Sequence, residues 1–313
     1  MNDNLKKISF FVFLKKDPIP PFMKAVTFLL VFISSLGLSA QKMLNYNLKV
    51  NDAFKVEQQA KQHITQDIQG VDQIIDNNLK STMQFKVIKV TPDLITLEMV
   101  FTHMQMTMSS PTLGELLNAD TAIADDTDMT SKMFRGTLNI PVTMVLEKTG
   151  KIQSISGGDN LISGMFKASD ITDKAAIEAN KAQFEKQFGS EALSNSFEQM
   201  TYFLPATPVR VDDTWQNVYQ GDLKSQNQWR LKTHNENAYE VLGTANTTMS
   251  NIDENVTMVL TGTQKTIIHA NSKTGLFKNI SVNGEYVGDT QIHAANMTIP
   301  TKITSTITYK LLN

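Results

Sequence analysis

The sequence contains no cysteine among its 313 residues. This absence excludes thiol catalysis and a disulfide framework, and it also excludes the lipid-bearing cysteine of a bacterial lipoprotein. Neither sign of charge is in excess, because 31 Asp and Glu residues stand against 29 Lys and Arg residues. Without a basic surplus, we expect no binding to nucleic acid and no attraction to an anionic membrane surface.

Signatures of enzymes and metal sites are also missing. The chain has no G-x-S-x-G nucleophile elbow, no P-loop, no dinucleotide fingerprint and no HExxH motif. A zinc site needs three or four convergent ligands. The histidines are instead scattered along the chain, at His63, His103, His234, His269 and His293. The sequence therefore predicts a protein that is not an enzyme and has no cofactor and no metal site.

An acidic stretch from Glu115 to Asp128 contains five acids and no base. An EF-hand loop that began at Asp126 would need glycine at its sixth position and glutamate at its twelfth. The sequence has Ser131 and Thr137 at these positions. We therefore interpret the stretch as a solvated excursion between strands, with cation binding of another kind left open.

Long apolar runs are rare, and the clearest one lies near the N-terminus, in MKAVTFLLVFISSLGLSAQ from Met23. A basic Lys24, an apolar run at 25–38 and a small residue at Ala40 have the order of a secretory signal peptide. The run is too short to span a bilayer comfortably. We predict that translation begins at Met23 and that residues 1–40 are absent from the mature protein. That protein would be soluble, periplasmic or secreted, with no membrane span after signal cleavage.

Most of the remaining chain is typical of β-strands. Residues 83–90 and 94–101 are rich in β-forming side chains and are separated by a Thr-Pro-Asp turn. Two helices are predicted in the middle of the chain. The first lies within residues 169–188, and the second carries Leu193, Phe197 and Met200 at helical spacing.

Short phrases recur in the same order along the chain. NLKVNDAFKV at 47–56 is similar to PVRVDDTWQN at 208–217, and KTGKIQSIS at 148–156 is similar to KTGLFKNIS at 273–281. Asn, Asp and Gly are turn residues. Phe54 and Trp215, which follow the turns Asn51-Asp52 and Asp212-Asp213, are expected to anchor the next strand in the core. The phrases therefore indicate repeated structure, and we assign them no chemistry.

The repeated phrases predict the organisation of the domain. We interpret them as a degenerate tandem duplication, with a first β module at 44–165, a helical pair at 166–205 and a second β module at 206–313. The predicted fold class is α+β and β-dominated. Its tandem antiparallel β modules would form a curved sheet or half-barrel that carries the central pair of helices.

The exported start, the PVRVDDTWQN phrase and the TG hairpins resemble an uncharacterised family of exported bacterial envelope proteins, a domain of unknown function. The family brings no known active site, so the resemblance implies no role for any residue. A looser architectural analogy is with the half-barrels of periplasmic lipoprotein carriers, whose curved sheet holds a hydrophobic ligand under helices. A shared fold does not by itself imply a shared function.

The run MVFTHMQMTMSS contains the strongest candidates for a binding surface. On a strand, Met104, Met106 and Met108 would share one face, and Phe101 and His103 would share the other. Methionine adapts to irregular apolar ligands, but it also fills cores. Both interpretations stay open at this point.

The helical pair would present an inward apolar face to the sheet, made of Ile177, Phe184, Phe188, Leu193 and Phe197. Together with the methionine face, this surface makes Met104, Met106, Phe184 and Phe188 the candidate ligand-binding residues. The predicted function is non-catalytic binding of a lipid or another apolar or amphipathic ligand in the envelope. The alternative is a structural or protein-interaction module with an envelope protein as partner. An apolar cavity under the helices would favour the first function, and a filled core with an exposed apolar patch would favour the second.

Overall fold

The computed structural model describes residues 41–124, 128–169, 171 and 174–312. The predicted signal peptide lies outside these residues. The first six strands are β1 (Ala53–Ile68), β2 (Val71–Val90), β3 (Leu94–Ser110), β4 (Gly114–Asp120), β5 (Val142–Glu147) and β6 (Ile152–Ser156). The other six are β7 (Thr214–Tyr219), β8 (Leu223–His234), β9 (Ala238–Ile252), β10 (Val256–Asn271), β11 (Phe277–Ile292) and β12 (Met297–Leu312).

Four helices lie within the described residues: α1 (Met129–Arg135), α2 (Gly158–Ala168), α3 (Lys174–Phe188) and α4 (Ser190–Thr201). The last two correspond to the predicted pair, whereas α1 and α2 were not predicted. Among the described residues, no helix has both the length and the apolar character needed to cross a membrane.

All twelve strands join one open sheet in the order β6-β5-β3-β2-β1-β12-β11-β10-β9-β8-β7, with β4 paired to β3. Every strand pair is antiparallel. The first and last strands meet in the middle of the sheet, where β1 pairs with β12 from Lys55↔Leu312 to Gln66↔Thr301. The predicted β-dominated α+β fold with an antiparallel sheet is confirmed.

Alternation of buried and exposed residues explains why these segments are strands. In β8, for example, Ser225, Asn227, Trp229 and Leu231 are buried, and the residues between them are exposed. One face of the sheet is therefore solvated and the other packs inward. The two ends of the sheet share a single hydrophobic core, to which Val142 of β5 and Trp229 of β8 both belong. The sheet must curve to bring them together.

The repeated phrases form matching turns before β1 and β7. Asn51 and Asp212 both adopt the left-handed conformation, with φ of 73° and 72°. In each turn the next aspartate accepts a hydrogen bond at 2.8 Å from the backbone N–H three residues earlier. The backbone carbonyls of Asp52 and Asp213 also accept from Val87 and Leu231, respectively. The predicted turn roles are confirmed.

The two KTG turns lie against one segment of the chain. The backbone N–H of Tyr46 donates to Lys148, and that of Asn47 donates to Thr274, in each case at 2.9 Å. A Cβ on Gly275 would overlap Asn45 of this segment, and a Cβ on Gly150 would overlap the carbonyl of Thr201 and the ring of Tyr46. Glycine is therefore required at both positions for close approach as well as for positive φ. The segment before β1 thus joins the β5–β6 and β10–β11 turns.

The acidic stretch is not a simple solvated excursion, so that interpretation was wrong in part. Its first residues form β4, which pairs with the second half of β3. Its last residue, Asp128, caps α1 by accepting hydrogen bonds from the N–H groups of Thr130 and Ser131. Residues 125–127 lie outside the described residues. Consecutive Leu116 and Leu117 hid the alternation by which a strand is recognised.

A candidate ligand-binding cavity under the helices

A cavity of about 280 Å³ lies between the inner face of β1, β2 and β3 and the helices α1, α3 and α4. Its size is near the lower end of the range for small-molecule sites. It is lined by Gln58, Ala60, Gln62, Asn77, Leu79, Ser81, Phe101, Met104, Met106, Phe134, Gln187, Phe188, Leu193, Ser196 and Phe197. None of these side chains is charged.

The floor of the cavity is made by inward side chains of β1 and β2. The register places Gln58 opposite Ser81, and Gln62 opposite Asn77. Ser81 Oγ donates to Gln58 Oε1, and Asn77 Nδ2 donates to Gln62 Oε1, each at 3.3 Å. Asn77 Oδ1 is buried and has no hydrogen-bond partner among the described residues. The floor therefore offers neutral hydrogen-bonding groups, one of which is unsatisfied.

A β-bulge shapes the wall that β3 contributes. Thr82 pairs with His103 and Met83 with Phe101, so β3 carries one extra residue at this point. The extra residue reverses the alternation, and Phe101 and Met104 both line the cavity. The expectation that Phe101 lies on the opposite face from Met104 was wrong, because it assumed an uninterrupted strand.

The roof comes from three helices and is mainly apolar, with Gln187 and Ser196 as its polar members. Leu193 and Phe197 are one turn apart on α4, and both are buried. Phe188 lies at the end of α3, where its ring centroid is 6.4 Å from that of Phe134 in α1. Leu161 and Met165 of α2 are also buried, but they do not reach the cavity. The roof is thus carried by elements separate from the strands of the floor.

The structure brings three of the four candidate residues together. Met104, Met106 and Phe188 line the cavity, whereas Phe184 does not. The Phe184 ring packs edge-on against Phe166 of α2, with centroids 5.3 Å apart. The reason is that α3 packs against α2 at Phe184 and reaches the cavity only at its last residues, Gln187 and Phe188. Ligand binding by these residues stays a prediction.

Sequence reasoning missed the polar floor. The sequence of β1, AFKVEQQAKQHITQDI, lacks an apolar alternation in its second half. Gln58 and Gln62 are therefore expected to face solvent when the sequence is considered alone. A weak signal was that Gln58, Ala60 and Gln62 lie at alternate positions of the strand and therefore share one face. Such a face can point inward without being packed.

A polar cleft adjoins the cavity. It has a volume of about 710 Å³ and lies between α3, α4 and the β7–β8 turn. Gln187 and Ser196 line both the cleft and the cavity, and both residues are exposed. The cleft also carries charged side chains, those of Glu185, Lys186, Glu191 and Asp222. The cleft and the cavity therefore meet at Gln187 and Ser196.

A larger depression, of about 1290 Å³, lies on the sheet at β1, β11 and β12. Its lining includes Lys55, Glu57, Lys278 and Lys310. Charged side chains of both signs suit a solvated groove better than an apolar ligand. We therefore place the candidate site under the helices.

Buried titratable groups lie away from the cavity. Glu198 of α4 is 9% exposed, and burial raises the pKa of its carboxyl above the ordinary value of 4.5. The backbone N–H of Ile152, at the edge of β6, and the charge of Lys151 oppose this rise. Glu198 therefore closes the β6 edge and does not face the cavity. No group of three or more His, Asp or Glu side chains within the described residues is arranged to hold a metal ion.

The model of a family of unknown function (DUF6263) matches residues 92–277, which is more than half of the chain. The chain belongs to the DUF6263 family. The matched part of this DUF6263 protein runs from the β2–β3 turn to the first residue of β11, and it includes Met104, Met106 and Phe188. The predicted resemblance to a family of unknown function is confirmed.

Comparisons of this DUF6263 protein with other proteins show distant likeness in structure. No curated protein matches its sequence. A lipovitellin structure that describes lipid–protein interactions is 11% identical, with a TM-score of 0.46, and the match covers 85% of this chain but only 26% of lipovitellin. An outer membrane channel from Pseudomonas putida F1 is 8% identical, with a TM-score of 0.22, over 87% of this chain and 100% of the channel. These TM-scores carry no argument about function.

Proposed function

We propose that this protein binds an apolar or amphipathic ligand, without catalysis, in the cavity between β1–β3 and the helices. The observation that carries the proposal is an apolar-walled space of about 280 Å³ beside an otherwise packed core. Phe101, Met104 and Phe197 are at most 6% exposed, so an apolar ligand there would be removed from water. Transfer of its surface from water supplies the driving force.

The absence of charge around the cavity supports binding without chemistry. General acid–base catalysis needs a titratable group within hydrogen-bond reach of the reacting atoms. The residues that line the cavity include no His, Asp, Glu or Lys. Ser81 donates to Gln58, which is a neutral amide and cannot activate it as a nucleophile.

Binding is tested with the neutral fluorescent probe N-phenyl-1-naphthylamine and with native mass spectrometry of protein purified from its own host. We expect probe binding and a co-purified apolar or amphipathic molecule. Met106→Trp should fill the cavity and abolish probe binding. Thr107→Trp is the matched control, because Thr107 is the next residue of β3, lies on the opposite face of the strand and does not line the cavity. A protein that binds no probe and carries no molecule would overturn the proposal.

We also propose that the protein is exported, with cleavage after Ala40, and acts in the periplasm or outside the cell. The support is the order of basic, apolar and small residues in 23–40. N-terminal sequencing of the protein from its host should give Gln41 as the first residue. Retention of residues 25–38 would contradict this proposal.

A tandem duplication is proposed as the origin of the sheet. In support, β2 and β8 each carry a bulge directly after the residue that bonds to the preceding turn. The bulge of β2 lies between Val87 and Lys89, and that of β8 lies between Leu231 and Thr233. Each KTG turn follows the strand that makes the third strand pair of its half of the sheet. That strand is β5, paired with β3, in the first half and β10, paired with β9, in the second. Superposition of β1–β3 on β7–β9 should align both bulges, and failure to align them would contradict duplication.

The second candidate function is a protein-interaction module. The observation that favours it is a group of exposed apolar side chains around the edge strand β4, namely Leu113, Leu116, Ile123 and Met129. An exposed edge strand can pair with another chain. If this edge is the functional surface, Leu116→Lys should abolish association of the protein with its partner chain, as measured by analytical ultracentrifugation. It should leave binding of N-phenyl-1-naphthylamine unchanged.

A further inference from the structure

The cavity floor differs from the cavity walls. Phe101, Met104, Phe188 and Phe197 provide apolar contacts, whereas the floor carries two cross-strand polar pairs, Gln58–Ser81 and Gln62–Asn77. A cavity for a hydrocarbon alone needs no such groups, because polar groups in an apolar site lose hydrogen bonds to water. The floor therefore has the chemistry of a site for a polar group.

Asn77 is the residue whose hydrogen bonding is incomplete. Its Nδ2 donates to Gln62 at 3.3 Å, but its buried Oδ1 has no partner among the described residues. A buried polar group without a partner costs about 1–3 kcal/mol. Ser225 Oγ and Thr247 Oγ1 are also buried without a partner among the described residues, but neither residue lines the cavity. An unsatisfied amide oxygen on a residue that does line the cavity points to a partner that arrives with the ligand.

We propose that the ligand is an uncharged amphiphile that carries a hydroxyl group, and that this hydroxyl binds the amide of Asn77. The inference rests on the proposed function, since it assigns a chemical class to the ligand of the same cavity. The apolar body of the ligand lies against Met104, Met106 and Phe197. The hydroxyl lies on the floor between β1 and β2.

Two features select a hydroxyl over other polar groups. An ionised carboxylate or phosphate would be buried without a counter-ion, because no lining side chain is charged, and an unpaired buried charge is costly. Asn77 Nδ2 already donates to Gln62 Oε1, so the group left for a ligand is the acceptor Oδ1. A hydroxyl can donate to an amide oxygen.

The test compares three ligands of equal chain length: 1-octanol, 1-chlorooctane and octanoate at neutral pH. Each displaces N-phenyl-1-naphthylamine from the full-length protein, which gives its affinity. The quantity of interest is the affinity of octanol divided by that of chlorooctane. In Asn77→Leu we expect this ratio to fall by about fivefold to tenfold, the effect of one hydrogen bond, while chlorooctane still binds. Octanoate should bind most weakly to the wild-type protein.

The matched control is Asn78→Leu, because Asn78 is the next residue of β2 and its side chain lies on the opposite face of the sheet. It should leave the ratio unchanged. Asn77→Ala provides a second variant, which should lower the ratio as Asn77→Leu does even if leucine disturbs the fold. Ratios that are equal in wild type and both Asn77 variants would overturn the hydroxyl assignment, as would octanoate binding as tightly as octanol. Failure of every ligand and of the probe to bind would instead overturn the proposed function.

Discussion

Two asparagines on the inner face of the sheet, the buried Asn217 and the partly buried Asn77, have opposite hydrogen-bonding states. Asn217 of β7 accepts at Oδ1 from Asn227 and from Trp229 Nε1, each at 2.9 Å, and its Nδ2 donates to the carbonyl of Tyr202 at 2.6 Å. Asn77 of β2 makes one hydrogen bond and leaves Oδ1 without a partner among the described residues. A satisfied polar network rigidifies a core, whereas a partly satisfied one is a cost.

Packing around the two asparagines differs for a structural reason. Next to Asn217, Trp229 fills the space above β9, and a Cβ on Gly243 would overlap its ring. Next to Asn77, the space is covered by helices that belong to other parts of the chain. Strands in register bring their side chains into contact directly, but a roof on separate elements can leave a gap. The comparison teaches that packing can be tight around one inward asparagine and open around another. It is a local contrast, since Ser225 Oγ of β8 and Thr247 Oγ1 of β9 are also buried without a partner among the described residues.

The largest expected effect is that of Asn217→Leu. The substitution leaves the buried Trp229 Nε1 and Asn227 Nδ2 without partners, while the Tyr202 carbonyl keeps the hydrogen bond from the Tyr219 hydroxyl. We expect a loss of about 3–5 kcal/mol in the free energy of unfolding. Urea denaturation measures the loss. If Asn217→Leu proves no more destabilising than Asn77→Leu, the contrast between the two asparagines is wrong.

Trp215→Ala should destabilise the protein by about 3 kcal/mol, the lower part of the range for truncation of a large aromatic side chain. Trp215 is not fully buried as the sequence suggested, but it packs against the core, and its Nε1 donates to the carbonyl of Phe203 at 3.0 Å. Thermal unfolding monitors the change. Trp215→Phe keeps most of the packing and should lose less; an equal loss would assign the whole effect to the hydrogen bond.

Asn77→Leu should change the free energy of unfolding by less than about 1 kcal/mol in the absence of ligand, because it removes an unsatisfied buried oxygen and, with it, the long hydrogen bond from Nδ2 to Gln62. Urea denaturation of the delipidated protein measures this effect. Asn78→Leu serves as the control for surface effects on β2. A loss of 2 kcal/mol or more, roughly the cost of breaking a satisfied network, would place Asn77 with Asn217 as a structural residue.

Glu198→Gln tests a difference between the two edges of the sheet. The β6 edge is contacted by an ionisable carboxyl, that of Glu198, whereas the side chains that bond from the β7 edge to the backbone after α4 are neutral donors. Burial raises the pKa of Glu198 in the folded state, so its contribution to stability is fully present below the unfolded pKa and is lost as pH rises through the folded pKa. We expect the melting temperature of the wild type to fall more between pH 4.5, roughly the unfolded pKa, and neutral pH than that of Glu198→Gln. Parallel pH profiles would show that Glu198 does not contribute.

Local patterns in the sequence were sufficient for some parts of the fold. Asn51 and Asp212 were recognised as turn residues because their short polar side chains suit left-handed backbone. The helix α4 was recognised from the spacing of Leu193 and Phe197. Strand β4 was not recognised, since its pairing to β3 is a property of the sheet and its own sequence does not alternate.

The candidate site could be predicted only in part. Met104, Met106 and Phe188 were identified because methionine and phenylalanine on inward faces favour apolar contacts. Phe184 was wrongly included, since helical periodicity gives a face of α3 but not the neighbour of that face, which is α2 at this position. The polar floor was missed because an inward glutamine and an exposed glutamine have the same sequence pattern.

The amino-acid sequence by itself determined the β-dominated class, the turns before β1 and β7, and the lack of thiol chemistry, because these depend on composition and on residues close together in the chain. Only the tertiary structure decided that β1 pairs with β12, that a bulge turns both Phe101 and Met104 inward, and that Asn77 lies unsatisfied under helices from elsewhere in the chain. Register, bulges and the fit between separate elements arise from long-range pairing and packing, which no local pattern encodes.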